Sequence, residues 1–374
     1  MVSPRVSAAM SRPLVGHLDP SFLDLLDSVQ KSLRALFRTE NACTLPISAT
    51  GSAGMEACFA NLVEDGDEVV IGIAGVFGNR MAEVAERLGA RVVRVESEWG
   101  EVVPPERIEE AVKTCERPAI VAIVHAETST GAWQPLEEIS AIAHRAGALF
   151  IADTVTSLSG CPVEVDGWEI DACYSATQKC LSCPPGLSPV TFSERAMERV
   201  RQRKTKPRSW FLDLNLIGNY FGSTRVYHHT APIAMIYALA ESLAIIEEEG
   251  LPGRFERHRK CHEALMAGLA ELGLEPAAAQ GNRLWMLNSV RVPQGVDEKA
   301  IREALLMRHS IEVGPGLGPL AGKVWRIGLM GESSRISNVR RLILALAGEL
   351  EAGGMRTAGG SGAVEAVDKA YGRD

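Results

Sequence analysis

The stretch DEVVIGIAGVFGNRMAEVAERLGARVVRVES, residues 67–97, decides the fold class. The apolar run over 67–74 predicts a buried strand, residues 79–89 predict a helix that ends at Gly89, and 91–97 predicts a second strand. This alternation repeats along the chain, with further helices predicted over 104–115 and 136–147 and further strands over 119–125, 149–155, 170–179 and 187–193. Apolar strands separated by amphipathic helices predict an α/β fold with a large, mainly parallel sheet and helices on both faces.

The regions outside this alternation suggest how the chain divides into domains. Ahead of it, apolar residues at helical spacing and the pair Asp19-Pro20 predict a helix over 20–38. After residue 230, two long helices lead into short strands and more helices. The end of the chain, from GGMRTAGGSG, is Gly-rich and aperiodic. We therefore expect an N-terminal segment (1–20), a large domain (21–250), a smaller C-terminal α+β domain (251–352) and a disordered tail (353–374).

Composition excludes several classes of partner. The 374 residues carry a net charge of −8, which disfavours nucleic acid and anionic membranes. No apolar run approaches the roughly 20 residues that span a bilayer, and the N-terminus lacks the apolar core of a secretory signal. The 8 cysteines are scattered except for one pair, which favours reduced, buried thiols over a disulfide framework. These features predict a cytoplasmic protein.

The stretch YSATQKCLSCPPG (174–186) places Lys179 between a predicted strand and a Pro-Pro-Gly turn. Lysine is seldom buried, and burial at a strand end would lower the pKa of its amine and make it a usable nucleophile. Cys180 and Cys183 invite a rival Cys-x-x-Cys interpretation. However, a zinc ribbon needs a second pair, and a thioredoxin-like motif opens a helix rather than a turn.

Polar groups also stand at other strand and helix ends. Thr50, Gly51 and Ser52 open a predicted helix, where they could bind a phosphate or serve as an ordinary N-cap. Asp153 ends a buried strand and needs a partner there: a protonated ring nitrogen, an arginine or, least favoured, a metal. The stretch HAETSTG (125–131) offers several polar side chains, although a hydrogen-bonded turn explains it equally well.

Glycines inside the opening stretch raise the possibility of dinucleotide binding. Gly72, Gly75 and Gly78 have the spacing G-x-x-G-x-x-G rather than G-x-G-x-x-G, which disfavours that interpretation. Phe77 in the same turn could pack on a flat ligand or belong to the core. The basic run over 201–209 is typical of a solvated surface.

Seven segments together resemble the class V (fold-type I) pyridoxal-phosphate aminotransferases, and within them the alanine–glyoxylate and serine–glyoxylate aminotransferase group. The resemblance runs from about residue 4 to about residue 350. The segments are GSAGME (51–56), HAETSTG (125–131), ADTVTSLSG (152–160), DACYSATQKCLSCPPGLSPVTFS (171–193), RKTKP (203–207), YHHT (227–230) and KVWRIGLMG (323–331). Their order and spacing match the family.

The resemblance implies a role for each candidate residue. Lys179 would be the Schiff-base lysine, and Asp153 would pair with the protonated pyridine nitrogen of pyridoxal 5'-phosphate. Arg326 would bind the substrate carboxylate. The remaining residues would contact the cofactor: Thr50, Gly51, Ser52 and Gln178 at the phosphate, Phe77 and Val155 on the two faces of the ring, Thr128 near its phenolic oxygen, and Tyr227 and Thr230 at the phosphate across a dimer interface.

The resemblance also implies an activity. It points to a homodimeric transaminase that moves an amino group from a small amino acid, alanine or serine, to glyoxylate or a similar 2-oxo acid by a ping-pong mechanism. Alternatives within the fold are a pyridoxamine–pyruvate aminotransferase, a lyase or a desulfurase. A desulfurase needs a nucleophilic cysteine in a mobile loop, and no cysteine here fits that role. A non-catalytic, hydrogenase-associated subunit is a further alternative, and the set of Lys179, Asp153 and Arg326 argues against it.

Overall fold

The computed structural model of the chain describes residues 1–222, 224–357 and 359–372. Its strands form one large sheet, one small sheet and a short hairpin. In chain order they are β1 (Cys43–Ile47), β2 (Glu68–Ile73), β3 (Arg91–Glu96), β4 (Pro118–Val124), β5 (Ala126–Glu127), β6 (Ala132–Trp133), β7 (Leu149–Asp153), β8 (Ala172–Tyr174), β9 (Ser188–Phe192), β10 (Leu287–Arg291), β11 (Gly314–Pro315) and β12 (Val324–Gly328).

Helices surround both sheets, and several begin at the proline or acidic residue that their sequence provides. Asp19 caps the helix that starts at Pro20, for example, and its side chain accepts from the Ser21 amide. In chain order the helices are α1 (Pro4–Met10), α2 (Pro20–Phe37), α3 (Gly51–Leu62), α4 (Val76–Arg87), α5 (Pro105–Lys113), α6 (Glu137–Arg145), α7 (Glu194–Arg201), α8 (Leu214–Phe221), α9 (Ile233–Glu249), α10 (Leu251–Glu271), α11 (Glu298–His309), α12 (Ile336–Ala352) and α13 (Gly360–Tyr371).

The large sheet has seven strands in the order β1-β9-β8-β7-β4-β2-β3. The strands from β8 to β3 pair in parallel, while β9 pairs antiparallel with both β8 and β1. Because β9 reverses the direction twice, β1 runs the same way as the parallel strands, and its carboxyl end lies at the same edge. The predicted α/β architecture with a mainly parallel sheet is confirmed.

Several predicted elements differ in extent from the observed ones. The strand predicted over 170–179 covers only Ala172–Tyr174, because the chain turns out of the sheet before Lys179. Helix α4 begins at Val76 rather than at residue 79, so Gly75 is its N-cap and Gly78 lies in its first turn, while Gly72 belongs to β2. Strand β1 is absent from the prediction because its five residues include a proline and show no alternation.

The smaller domain packs helices against the antiparallel sheet β10-β12-β11. Its core includes the buried Trp325 of β12 and the apolar faces of α10, α11 and α12. Arg326 lies between Ser289 on β10 and Gly314 on β11 in the sheet register. This register places the predicted carboxylate-binding arginine in the middle of the small sheet.

The disordered tail predicted over 353–374 is wrong for most of its length. Residues Gly360–Tyr371 form α13, and Ala363 and Val367 are fully buried in the core of the small domain. Asp368 of this helix forms an ion pair with Arg340 of α12. The glycines over 353–362 suggested disorder, but Ala363 and Val367 are spaced four residues apart and form the apolar face of one docked helix. Residues 358, 373 and 374 of the predicted tail lie outside the described residues.

Candidate active site

A cavity of about 290 Å³ opens at the carboxyl edge of the large sheet. In parallel sheets this edge is where ligands bind, because loops from several strands and the amino ends of helices converge there. Eight of the predicted site residues line the cavity: Thr50, Gly51, Ser52, Phe77, Asp153, Val155, Gln178 and Lys179. Thr128, Tyr227, Thr230 and Arg326 are not among its lining residues.

One end of the cavity is the amino terminus of α3. The N-cap Thr50 makes no side-chain cap bond, and the amides of Gly51 and Ser52 find no acceptor among the described residues. Free amides and the positive end of the helix dipole make this a ready anion site. A Cβ on Gly51 would come within 2.7 Å of the Ala176 Cβ, so only glycine lets the helix start this close to the end of β8.

The cavity lining also contains Asp153, the last residue of β7. Its carboxylate is buried and accepts from the Val155 amide and the Tyr174 hydroxyl, both at 2.8 Å. Burial raises the pKa of Asp153 from 3.8 to about 6, against the lowering effect of these two bonds. A buried carboxyl with a raised pKa is matched to a cationic partner, since a positive charge would return it to its ionised form.

Lys179 enters the cavity from the turn after β8. The turn is closed by bonds from the Ser182 amide to the Lys179 carbonyl, at 2.9 Å, and from the Cys183 amide to the Thr177 carbonyl, at 2.9 Å. Buried Arg254 of α10 donates to the Cys180 carbonyl at 2.6 Å and fixes the turn from outside. Burial lowers the pKa of Lys179, which favours the neutral, nucleophilic amine.

The cysteines beside Lys179 are buried and chemically quiet. Burial raises the pKa of Cys180 to about 11 and that of Cys183 to about 12. A reactive or metal-binding cysteine has a lowered thiol pKa instead. All 8 cysteines are unbridged.

Arg326 and Thr128 meet beside the cavity. Arg326 Nε donates to the Pro315 carbonyl at 2.7 Å, and Nη1 donates to the Thr128 carbonyl at 3.2 Å. Burial is the main cause of the lowered pKa of Lys179, and the positive charge of Arg326 lowers it further. The two positive charges are therefore close enough to repel each other. The Thr128 side chain is buried rather than directed at the cavity lining.

Tyr227 and Thr230 lie on the surface of the single chain. Tyr227 is exposed, and its hydroxyl is 3.5 Å from the Thr230 hydroxyl. Trp210, Phe211 and Val226 are also exposed, so large apolar side chains cluster in this part of the sequence. Within one chain these residues do not complete the cavity.

Three residues of the cavity lining were missed by the sequence prediction. Tyr174 reaches Asp153 because the two are partners in the register of β7 and β8, which sequence cannot reveal. Arg80 lies one turn after Phe77 on α4, and its guanidinium is 5.1 Å from the centre of the Phe77 ring. Met55 lies one turn into α3. The helical spacing of Arg80 from Phe77 and of Met55 from Gly51 was the available signal.

The described residues contain neither a metal-ligand cluster nor a membrane-spanning helix. Within 1–222, 224–357 and 359–372, no three His, Cys, Asp or Glu side chains form a group that could hold a metal ion. Across the same residues, no helix is both long and apolar enough to span a bilayer.

Comparison with known proteins places this site in context. The family model described as Aminotransferase class-V matches residues 5–320. The chain is 41% identical over 363 residues to a (S)-ureidoglycine–glyoxylate transaminase of Bacillus subtilis, covering 92% of this chain and 87% of the relative. It is 40% identical over 349 residues to an alanine–glyoxylate aminotransferase of Drosophila melanogaster, covering 92% and 88%.

Solved structures agree with this similarity. The crystal structure of an alanine–glyoxylate aminotransferase from Nostoc sp. superposes with a TM-score of 0.91 at 51% sequence identity, covering 92% of this chain and 91% of that one. The fold-type I architecture predicted from the resemblance is therefore confirmed.

Proposed function

This chain belongs to the class-V aminotransferase family, and we propose that it uses pyridoxal 5'-phosphate to transfer an amino group from a small amino acid to glyoxylate. That the chain is a transaminase follows from its family and from relatives of about 40% identity over most of its length. The single observation that carries the cofactor and the mechanism is the shared cavity of Lys179 and Asp153 beside the open amino end of α3.

The residues present fit this cofactor at its phosphate, its ring nitrogen and its aldehyde carbon. The unpartnered amides of Gly51 and Ser52 suit a phosphate, and Gln178 lines the same cavity. Asp153 suits a protonated ring nitrogen, because a nearby cation would lower the raised pKa of this carboxyl and favour its ionised form. Lys179 suits a covalent link to the aldehyde carbon. Phe77 and Val155 supply apolar surface for the ring.

When bound, pyridoxal phosphate supplies an electron sink for the charge left at the donor Cα. Lys179 supplies the proton transfer: its Nζ takes the Cα proton as general base and returns a proton as general acid. Burial favours this role because it holds the amine closer to neutral. The ionised Asp153 keeps the ring nitrogen protonated, and the Tyr174 hydroxyl orients that carboxylate.

Arg326 is the residue we assign to the substrate carboxylate. Its Nε and Nη1 bond to the carbonyls of Pro315 and Thr128, which hold the guanidinium beside the cavity. A planar guanidinium can bind a carboxylate through two parallel bonds, which fixes the direction of the donor as well as its position.

Glyoxylate is the proposed acceptor because the named relatives share it. The donor differs among them. Alanine or serine is the first proposal, and (S)-ureidoglycine is a second candidate because a relative of 41% identity carries that name. The buried, high-pKa thiols support transamination rather than desulfuration, which needs a nucleophilic cysteine.

A pyridoxamine–pyruvate aminotransferase remains the alternative within the family. Pyridoxamine carries no phosphate, and such an enzyme has no need of a phosphate site. The free amides at the start of α3 support the phosphorylated cofactor instead. Comparing the affinities for pyridoxal phosphate and for pyridoxal separates the two possibilities.

A homodimer is the proposed assembly. The resemblance assigns Tyr227 and Thr230 to the cofactor phosphate of a partner subunit, and their exposure in the single chain supports that assignment. The exposed side chains of Trp210 and Phe211 supply apolar surface that a partner would cover. The unbridged cysteines support the reducing environment of the cytoplasm.

The test is spectroscopic. Purified protein supplied with pyridoxal phosphate should develop a visible absorption band, and Lys179→Ala should abolish the band and lower the rate by more than about a thousandfold. Single-turnover loss of the band with alanine, serine, glycine, aspartate and (S)-ureidoglycine then identifies the donor. A protein that stays colourless with the cofactor would refute the proposal.

A further inference from the structure

One buried carboxylate beside the cavity has no role in the mechanism above. Glu127 follows β4 and is 2% exposed. Its Oε2 accepts from the amides of Phe77 (3.1 Å) and Gly78 (3.4 Å), and its Oε1 accepts from the amide (3.0 Å) and hydroxyl (2.5 Å) of Ser129. A carboxylate is unfavourable to bury alone, and four donors from two distant segments compensate for its burial here.

Helix α4 depends on this carboxylate for its start. The first amides of a helix have no partner within the helix, and the N-cap Gly75 has no side chain to supply one. Glu127 serves two of these amides, and the Ser129 hydroxyl accepts from the Val76 amide at 3.0 Å. A Cβ on Gly75 would lie 2.5 Å from Glu127 Cδ, so glycine at this position leaves room for the carboxylate.

Glu127 is also next in sequence to a residue that contacts Arg326, the arginine assigned to the substrate carboxylate. The next residue, Thr128, accepts from Arg326 Nη1 through its carbonyl at 3.2 Å. Attraction to Glu127 raises the pKa of Arg326 against the larger effect of burial, which lowers it. Glu127 thus lies between the helix that carries Phe77 and the turn that holds Arg326.

We propose that Glu127 is a positioning residue of this transaminase. Its carboxylate fixes the first turn of α4, and hence Phe77, together with the Thr128 turn, and hence Arg326. The distance between Phe77, which contacts the ring, and Arg326, which binds the carboxylate, is therefore held constant. This inference rests on the proposed function and deepens it, since Glu127 would touch neither cofactor nor substrate.

Hydrogen exchange tests the first half of the proposal without any turnover. Glu127→Gln replaces one acceptor oxygen by an amide NH₂ that faces other donors. In the full-length protein, with and without pyridoxal phosphate, we expect the Phe77 and Gly78 amides to exchange at least roughly tenfold faster. Glu349→Gln is the matched control, because Glu349 is a buried carboxylate of the small domain that binds Arg308 and His309. Unchanged exchange in E127Q would overturn the proposal.

Binding measurements test the link to Arg326. We expect E127Q to weaken pyridoxal phosphate binding and to raise the donor KM, each roughly tenfold. If Glu127 acts through Arg326, the KM effects of E127Q and Arg326→Lys are less than additive in the double variant. Additive effects would refute the link, because a general loss of stability does not single out one arginine.

Two further variants keep the test decisive if E127Q does not fold. Ser129→Ala removes one donor to the carboxylate, and Gly75→Ala pushes the carboxylate aside without removing its charge. Both should accelerate exchange at Phe77 and Gly78, and wild-type exchange rates in both would overturn the proposal. A wild-type protein that never binds pyridoxal phosphate would refute the proposed function, whereas the exchange result would still decide whether Glu127 holds α4.

Discussion

Asp153 combines a buried carboxyl with a proposed function that needs its charge. Burial raises the pKa of Asp153 to about 6, so the cofactor-free fold favours the protonated form. The stability that this carboxyl contributes is therefore complete below about pH 4 and is lost as the pH rises through about 6. The site is strained in this electrostatic sense until a cation binds.

We therefore expect Asp153→Asn to stabilise the cofactor-free protein at neutral pH. The variant should match the wild type near pH 4 and exceed its free energy of unfolding by about 3 kcal/mol near pH 7.5. Urea unfolding at the two pH values measures the difference. With pyridoxal phosphate present the order should reverse, because asparagine cannot pair with the ring nitrogen as an anion. Equal stability at both pH values would contradict a buried, uncompensated charge.

Arg326 gives a second prediction at the scale of one residue. Arg326→Lys keeps the charge but removes the planar pair of donors, so the donor KM should rise roughly tenfold to a hundredfold, with a smaller change in kcat. Arg308 forms an ion pair with Glu349 and does not line the cavity. Arg308→Lys is therefore the control and should leave both constants unchanged. An R326K enzyme with wild-type donor KM would remove Arg326 from the substrate site.

At the scale of elements, the amino end of α3 is the part most sensitive to an added methyl group. In Gly51→Ala the new Cβ would lie 2.7 Å from the Ala176 Cβ, so the helix start must move away from the cavity. We expect roughly tenfold weaker binding of pyridoxal phosphate, with less effect on pyridoxal, measured by titration of the visible band. Gly348→Ala in α12 is the control, since nothing lies within 4 Å of its Cβ position.

Helix α13 gives a prediction about stability. Val367 is fully buried between α13 and the helices it covers, in the core that also contains Ile343 and Gly268. Val367→Ala removes two carbon atoms from that core and should lower the free energy of unfolding by about 2 kcal/mol, seen in urea unfolding. Val364→Ala, at a partly buried position on the same helix, should have a smaller effect. No loss of stability in V367A would mean that the helix does not dock in solution.

These elements also show what sequence could and could not predict. Strands β2, β4 and β7 were predictable because each is a continuous apolar run, and amphipathic helices separate these runs along the chain. The position of Asp153 at a strand end was predictable because it closes such a run, whereas Lys179 lies in a turn five residues after the end of β8. The bond between Tyr174 and Asp153 was not, because it depends on the register between strands. The capping of α4 by Glu127 was not either, because it joins segments 50 residues apart.

At the scale of the whole molecule, the proposed homodimer would build each site from two chains, with the exposed Tyr227 supplied by the partner. Lys179→Ala and Tyr227→Ala homodimers should each be impaired. Mixed dimers would contain one site with both defects and one intact site, so refolding equal amounts together should restore roughly a quarter of wild-type activity. Steady-state assays of the mixture against each variant alone measure this. Failure of complementation, with mixed dimers shown to form, would place Tyr227 in its own chain's site.

The position of β1 beside β9 has a consequence for how the protein is made. In chain order, the first strand of the large sheet, β1, pairs with the last, β9, and Cys43 lies opposite Phe192. The sheet therefore cannot be completed until the intervening chain has emerged from the ribosome. Pairing across such a sequence separation is slow, because the entropy of closing the loop is lost before the contacts form. The amino end of α3, where we propose that the phosphate binds, follows β1, whereas Lys179 lies just ahead of β9. Binding of the proposed cofactor would therefore be a late event in folding and would report that the sheet is complete.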